Sequence, residues 1–144
     1  MPAPEPLRLL AEDAEDLQVI SAAVQDAVAK IGDIRYEPAA RQLTLAVNRY
    51  RWEADGRRRE RVRAGLQFGG VLGVQSRKLR RDAPEAVIEL LAIAFEPGEA
   101  PGGAVVLTFA GGGDLRLEVE CVDAALADLS QAWPARGCPE HGEP

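Results

Sequence analysis

The chain of 144 residues is 28% charged and 47% hydrophobic, a balance that belongs to folded globular proteins and excludes a disordered one. No apolar run approaches the roughly 20 residues of a membrane span, and two cysteines are too few for a disulfide framework, so one cytoplasmic domain without membrane contact is expected. The net charge of −6 weighs against general nucleic-acid binding, yet it is unevenly spread: residues 49–81 hold eleven basic side chains and three acidic ones, a local +8 that leaves −14 on the rest.

Residues 1–6 form a Pro-rich lead-in, expected to be disordered, with no basic segment ahead of a long apolar stretch and so no signal-peptide pattern. Leu7 to Leu10 is a short apolar run closed by Glu12, Asp13, Glu15 and Asp16. Carboxylates there suit the positive end of a helix, and Asp13 with Asp16 resembles a capping arrangement. Leu17, Ile20, Val24, Val28 and Ile31 follow at helical spacing, which predicts a helix over 13–30 with Gly32 as its stop.

From Ile34 the period changes to two. Ile34 and Tyr36 lead into the turn Glu37-Pro38-Ala39-Ala40, and Leu43, Leu45 and Val47 alternate as one face of a strand. Tyr50 and Trp52 fall out of phase with that trio and should face the other way, unless a bulge near Asn48 or Arg49 restores the phase. Asp55-Gly56 opens a basic turn, after which Val62, Ala64, Leu66 and Phe68 alternate; residues 42–52 and 60–68 read as a hairpin. Gly69-Gly70 turns the chain into Val71 through Leu79. Residues 86–96 are apolar on both faces apart from Glu89, which suggests a central strand, although periodicity leaves a helix open. Val105, Leu107 and Phe109 face Leu115, Leu117 and Val119 across Gly111-Gly112-Gly113-Asp114, a hairpin signal. Val122, Leu126, Leu129 and Trp133 recur at helical spacing up to Pro134, which predicts a final helix packed on the sheet through Leu129 and Trp133.

The expected fold is therefore α+β: a single domain over 7–134 and a disordered tail over 135–144. About seven antiparallel strands would form a partly closed barrel or two packed sheets, with an N-terminal helix and a C-terminal capping helix. Strand count and final helix resemble a pleckstrin-homology-like barrel, an analogy of fold alone, with a helix-decorated open antiparallel sheet as the alternative. LRLLAEDAEDLQVISAAVQDA (7–27), NRYRWE (48–53), LTFAGGGDLRLEVEC (107–121) and ADLSQAW (127–133) together resemble domain of unknown function 2948, a family of uncharacterised alphaproteobacterial proteins. The resemblance implies a bacterial cytoplasmic domain and brings no catalytic motif.

Chemistry is sparsely signalled. The single histidine, His141, stands three residues after Cys138, a pair that falls short of the four ligands of a closed zinc site; no metal and no cofactor is expected. Cys121 lies at a strand end without a base nearby in sequence and reads as a small buried residue. Glu118 and Glu120 sit side by side on a polar strand face, where arginine partners on the next strand are the ordinary outcome. Gly111-Gly112-Gly113 precedes a strand, so it reads as a turn and not as a phosphate loop. Gln25 and Asp26 read as helix-flank surface. The basic hairpin is the strongest candidate: its arginines are expected first to pair with the −14 carried elsewhere and blunt a strand edge, and otherwise Arg49, Trp52, Arg57, Arg61 and Arg63 would bind an anion, since guanidinium forks grip phosphate and carboxylate and rings stack on bases.

These residues support three expectations. The first is a non-enzymatic binding or adaptor module that takes a protein partner through its sheet edge or basic hairpin, with homo-oligomers through that edge as one form. The second is an RNA- or phosphate-binding accessory protein using the basic hairpin, and the third a small enzyme or enzyme subunit using carboxylates.

Overall fold

The computed structural model describes residues 6–50, 60–129 and 133–134. Ten strands of three residues or more and one α-helix build it: β1 (Arg8–Ala11), α1 (Ala14–Ala23), β2 (Val28–Lys30), β3 (Ile34–Glu37), β4 (Gln42–Tyr50), β5 (Glu60–Phe68), β6 (Val71–Arg77), β7 (Val87–Pro97), β8 (Gly103–Phe109), β9 (Asp114–Val119) and β10 (Ala124–Asp128). A two-residue β11 (Trp133–Pro134) pairs with the start of β5. The strands form one open path in the order β1-β10-β5-β4-β2-β7-β8-β9-β6, and β3 pairs with β4 beside it. All the pairings are antiparallel.

The path folds back on itself. Inward residues of the first half (Leu43, Leu45, Val47, Ala64, Leu66, Phe68, Leu126) share one core with those of the second (Ile93, Val105, Leu107, Phe109, Leu115, Leu117). Helix α1 closes the core against β7 and β1, burying Leu17, Ile20 and Ser21. The Ser21 hydroxyl accepts the Ile93 N–H at 2.9 Å, which satisfies a buried donor of β7.

The predicted N-cap is present: the Asp13 carboxylate accepts the Asp16 N–H at 2.8 Å, with Glu15 and Asp16 in the first turn. Replacing Asp13 with alanine should cost about 1 kcal/mol in a denaturant-unfolding experiment. The helix stops well short of residue 30. Asp26 adopts φ 65° and donates its N–H to the Leu90 carbonyl, and Val28–Lys30 pair with β7 instead. Hydrogen bonds to a neighbouring strand outweigh the local helical pattern of Val24, Val28 and Ile31.

The expectation of an α+β fold with a C-terminal capping helix is overturned. The molecule is largely β, the sheet is not closed into a barrel, and residues 124–128 are a strand inserted between β1 and β5. Helical spacing arose there because the inward positions Val122, Ala124, Leu126 and Asp128 mix large, small and charged side chains, which hides a period of two. Leu129, expected in the core, is 63% exposed, and the Trp133 side chain lies outside the described residues. The pleckstrin-like analogy falls with the helix on which it leaned.

Several sequence readings hold. Residues 87–97 are a strand, the 42–50 and 60–68 segments pair as a hairpin, and β8 and β9 join through a glycine turn in which Gly111 and Gly112 take φ 91° and 97°. Gly103 is required by crowding: a Cβ there would meet the Glu96 carbonyl, the Phe95 ring at 2.8 Å and the Gly98 nitrogen at 2.9 Å. Gly103→Ala should therefore destabilise the chain by about 1–3 kcal/mol, read as a lower urea midpoint at unchanged m-value.

Candidate functional site

Five residues were singled out from the basic hairpin, and the structure separates them. The β4–β5 register runs without a break from Leu43↔Phe68 to Tyr50↔Arg61, so no bulge occurs near Asn48 or Arg49. Strict alternation then sends Arg49 inward, beside Leu45 and Val47, and Tyr50 outward. Arg49 is wholly buried. Its Nε and Nη2 meet Asp128 Oδ1 and Oδ2 at 2.9 Å each, and its Nη1 donates to the Tyr50 carbonyl at 3.0 Å. Asp128 Oδ2 also accepts the Leu7 N–H at 2.8 Å, which anchors the residue just before β1. Arg49 thus lies in the core, with Asp128 as its ion-pair partner.

Arg61 and Arg63 stay outside. Arg61 lies over the Tyr50 ring, 4.0 Å from its centroid, and donates to the Asn48 carbonyl at 3.1 Å. Arg63 reaches the Asn48 side chain at 3.4 Å and Asp33 at 3.6 Å. Trp52 and Arg57 lie outside the described residues, as do the hairpin tip, Cys138, His141 and the expected tail.

The other candidates resolve plainly. Glu118 meets Arg116 at 3.2 Å on its own strand and Glu120 meets Arg41 at 2.7 Å, so the two carboxylates serve different arginines. Cys121 is exposed, a correction to its expected burial, because it lies in the turn between β9 and β10. Among the described residues no three His, Cys, Asp or Glu side chains gather as metal ligands would.

Both halves of the folded sheet leave large apolar side chains exposed, Leu72, Val87 and Leu91 on β6 and β7 and Leu10 and Leu129 on or beside β1 and β10. Over β7-β8-β9-β6 the charges are matched: Arg116 binds Glu96 at 2.8 Å as well as Glu118, and Arg77 pairs with Asp114. Donation of hydrogen bonds to the Glu96 and then the Glu118 carboxylate raises the Arg116 pKa above its ordinary value. Over β1-β10-β5-β4 the floor is nearly featureless. Register puts Arg8, Ala127, Gly65 and Ala46 in one row across the strands, and Leu10, Ala125, Gln67, Thr44 and Arg35 in the next. Leu129 leans over Gly65, where a Cβ would stand 3.4 Å from its Cδ1.

Leu10 is 75% exposed and Leu129 63%. The face thus offers a small-residue floor, two unburied leucines, and arginines at both sides (Arg8, Arg35) and at one end (Arg61, Arg63). Sequence reasoning found only the last two. The rest could not be seen before β10 was known to be a strand, since Leu10, Ala125 and Leu129 meet only through it.

No helix among the described residues is long and apolar enough to cross a membrane. The model of the family described as "Protein of unknown function (DUF2948)" matches residues 7–141, and the chain belongs to that family. No curated protein and no solved structure matches it.

Proposed function

We propose that this member of the family is a non-enzymatic binding module that recognises a protein partner through the outer face of β1-β10-β5-β4. One observation carries the reading: the two most exposed leucines of the described residues, Leu10 and Leu129, both border this floor of small side chains, with Leu129 over Gly65. Exposed leucines on a flat small-residue floor favour side chains brought by another protein. A base-stacking reading is less favoured, because the one described ring beside this face, Tyr50, already carries the Arg61 guanidinium. The carboxylates singled out as candidates for catalysis, Glu118 and Glu120, engage separate arginines and share no point at which a proton or cation would sit.

Affinity capture with chemical cross-linking tests this. Wild-type chain should retain a partner that Ala127→Arg and Leu10→Arg both lose, and that Arg116→Ala, on the opposite face, retains. Loss with Arg116→Ala alone would move the interface to the other side.

A further inference from the structure

The open path of strands ends at β1 and β6, and the two ends are guarded differently. Native sheets blunt such edges with charge, proline, shortness or a covering element. β1 has four residues, opens on Arg8 and packs against α1. β3, beside β4, holds Arg35 and Glu37 and runs into Pro38. β6 carries no charge before Arg77 and no proline. Its first residue is tied down: the Val71 N–H donates to the Arg41 carbonyl at 2.9 Å, and the Val71 carbonyl accepts from the Tyr36 hydroxyl at 3.2 Å. The register then shifts around Leu72, which is 54% exposed. Past it, residues 73–77 pair with β9 alone among the described residues, and the outer edge of their backbone is open.

We infer that β6 docks a second copy of this chain, strand against strand and antiparallel about a two-fold axis at Gln75, so that two sheets become one. That register sets Gly73 opposite Arg77 of the second copy, and Val74 opposite its Ser76. Alternation turns Gly73, Gln75 and Arg77 outward with Arg116 and Glu118, while Val74 packs toward the core. Gly73 leaves a gap in this outward row, since a Cβ there would meet nothing within 4 Å. Arg77 of the second copy crosses the gap to Glu118, which stands beside Gly73 in the ladder, two strand spacings or about 10 Å away. Its guanidinium has a nitrogen for the purpose: Nε and Nη2 bind Asp114, and Nη1 has no partner among the described residues. The two ends of the edge also differ in sign. Beside the end of β6, Arg77, Lys78, Arg80 and Arg81 outnumber Asp82 and Asp114. Beside its start, Glu96, Glu118, Glu120 and Asp123 outnumber Arg41 and Arg116. An antiparallel two-fold brings the basic end of each copy to the acidic end of the other, whereas parallel pairing sets like against like. A foreign extended segment would need this same order of charges, which a second copy supplies by symmetry.

Sedimentation velocity of the full chain from about 10 to about 300 μM should show monomer passing into dimer, as suits a short interface. Gln75→Lys sets two lysines together on the axis and should weaken the dimer roughly tenfold or more. Arg77→Glu and Glu118→Arg should each weaken it, and the double variant should regain part of the loss. Within one chain these two residues lie at opposite ends of the β6–β9 ladder, so only pairing between copies couples them. Circular dichroism keeps a folding failure apart from dissociation. In a Cys121→Ser, Cys138→Ser background, Gln75→Cys should give a disulfide-linked dimer under mild oxidant and Arg35→Cys should not. A chain that stays monomeric throughout the range would overturn the inference, as would a charge-swapped variant no stronger than either single one. A dimer that Leu10→Arg dissolves and Gln75→Lys leaves intact would also overturn it, and would seat the second copy on the β1-β10-β5-β4 face.

Discussion

Replacing Asp128 with alanine should lower stability by about 3–5 kcal/mol, and replacing Arg49 with alanine should do the same. The two side chains are 0% and 2% exposed and meet through two hydrogen bonds of 2.9 Å. Removing the carboxylate strands a guanidinium that cannot shed its charge inside the core. The Leu7 N–H would lose its acceptor as well, and with it the anchor before β1. Attraction between the charges is only part of this cost, since both were desolvated on folding. An Arg49→Met, Asp128→Leu double variant should therefore recover most of the loss, because it removes both charges and keeps apolar volume. Urea unfolding of the two single variants and the double variant checks this. Additive destabilisation in the double variant would show that the cost lies in lost packing and not in the unpaired charge.

Leu126→Ala and Leu129→Ala should part company sharply. Leu126 is 1% exposed, opposite Leu66 and Leu9 in the ladder, and its truncation should cost about 2–5 kcal/mol. Leu129 is 63% exposed, and its truncation should stay within about 0.5 kcal/mol. A capping helix would have placed both in one buried stripe and made both variants costly. Thermal or urea unfolding of the pair thus reads whether residues 124–128 run as a strand. Leu129→Ala should still weaken partner binding, because that side chain lies on the proposed face.

The buried ion pair also explains where sequence reasoning stopped. Period-two alternation located β4, β5, β8 and β9 because bulky apolar groups fill nearly all their inward positions. It faltered at two places. In β4 the inward position after Val47 holds Arg49, so the apolar phase slips to Tyr50 and Trp52, and the sequence leaves a bulge open beside the outward-facing Tyr50 that the register shows. In β10 the inward positions hold Ala124 and Asp128 on either side of Leu126, so a helix fitted better than a strand. Each anomaly is half of one interaction, between residues 79 apart in the chain. Nothing local announces that a charged residue will be buried, since its partner is what permits the burial. The N-cap at Asp13 and the turn at Gly111-Gly112 were legible because their causes lie within four residues.

The same misreading concealed the candidate face. With residues 124–128 taken as a helix, Ala125, Ala127 and Leu129 had no row to join, and Leu10 had no neighbour. The basic hairpin then stood out as the only patterned surface. In the folded chain, its Arg49 supports the core while Arg61 and Arg63 edge a floor made largely from other strands.

The most direct measurement is an amide chemical-shift titration of the ¹⁵N-labelled chain with the partner recovered by affinity capture. The account predicts shifts concentrated at Leu10, Thr44, Ala46, Gly65, Ala125 and Ala127, with Ala94, Val106 and Arg116 unmoved. Shifts confined to Ala94, Val106 and Arg116 would contradict it.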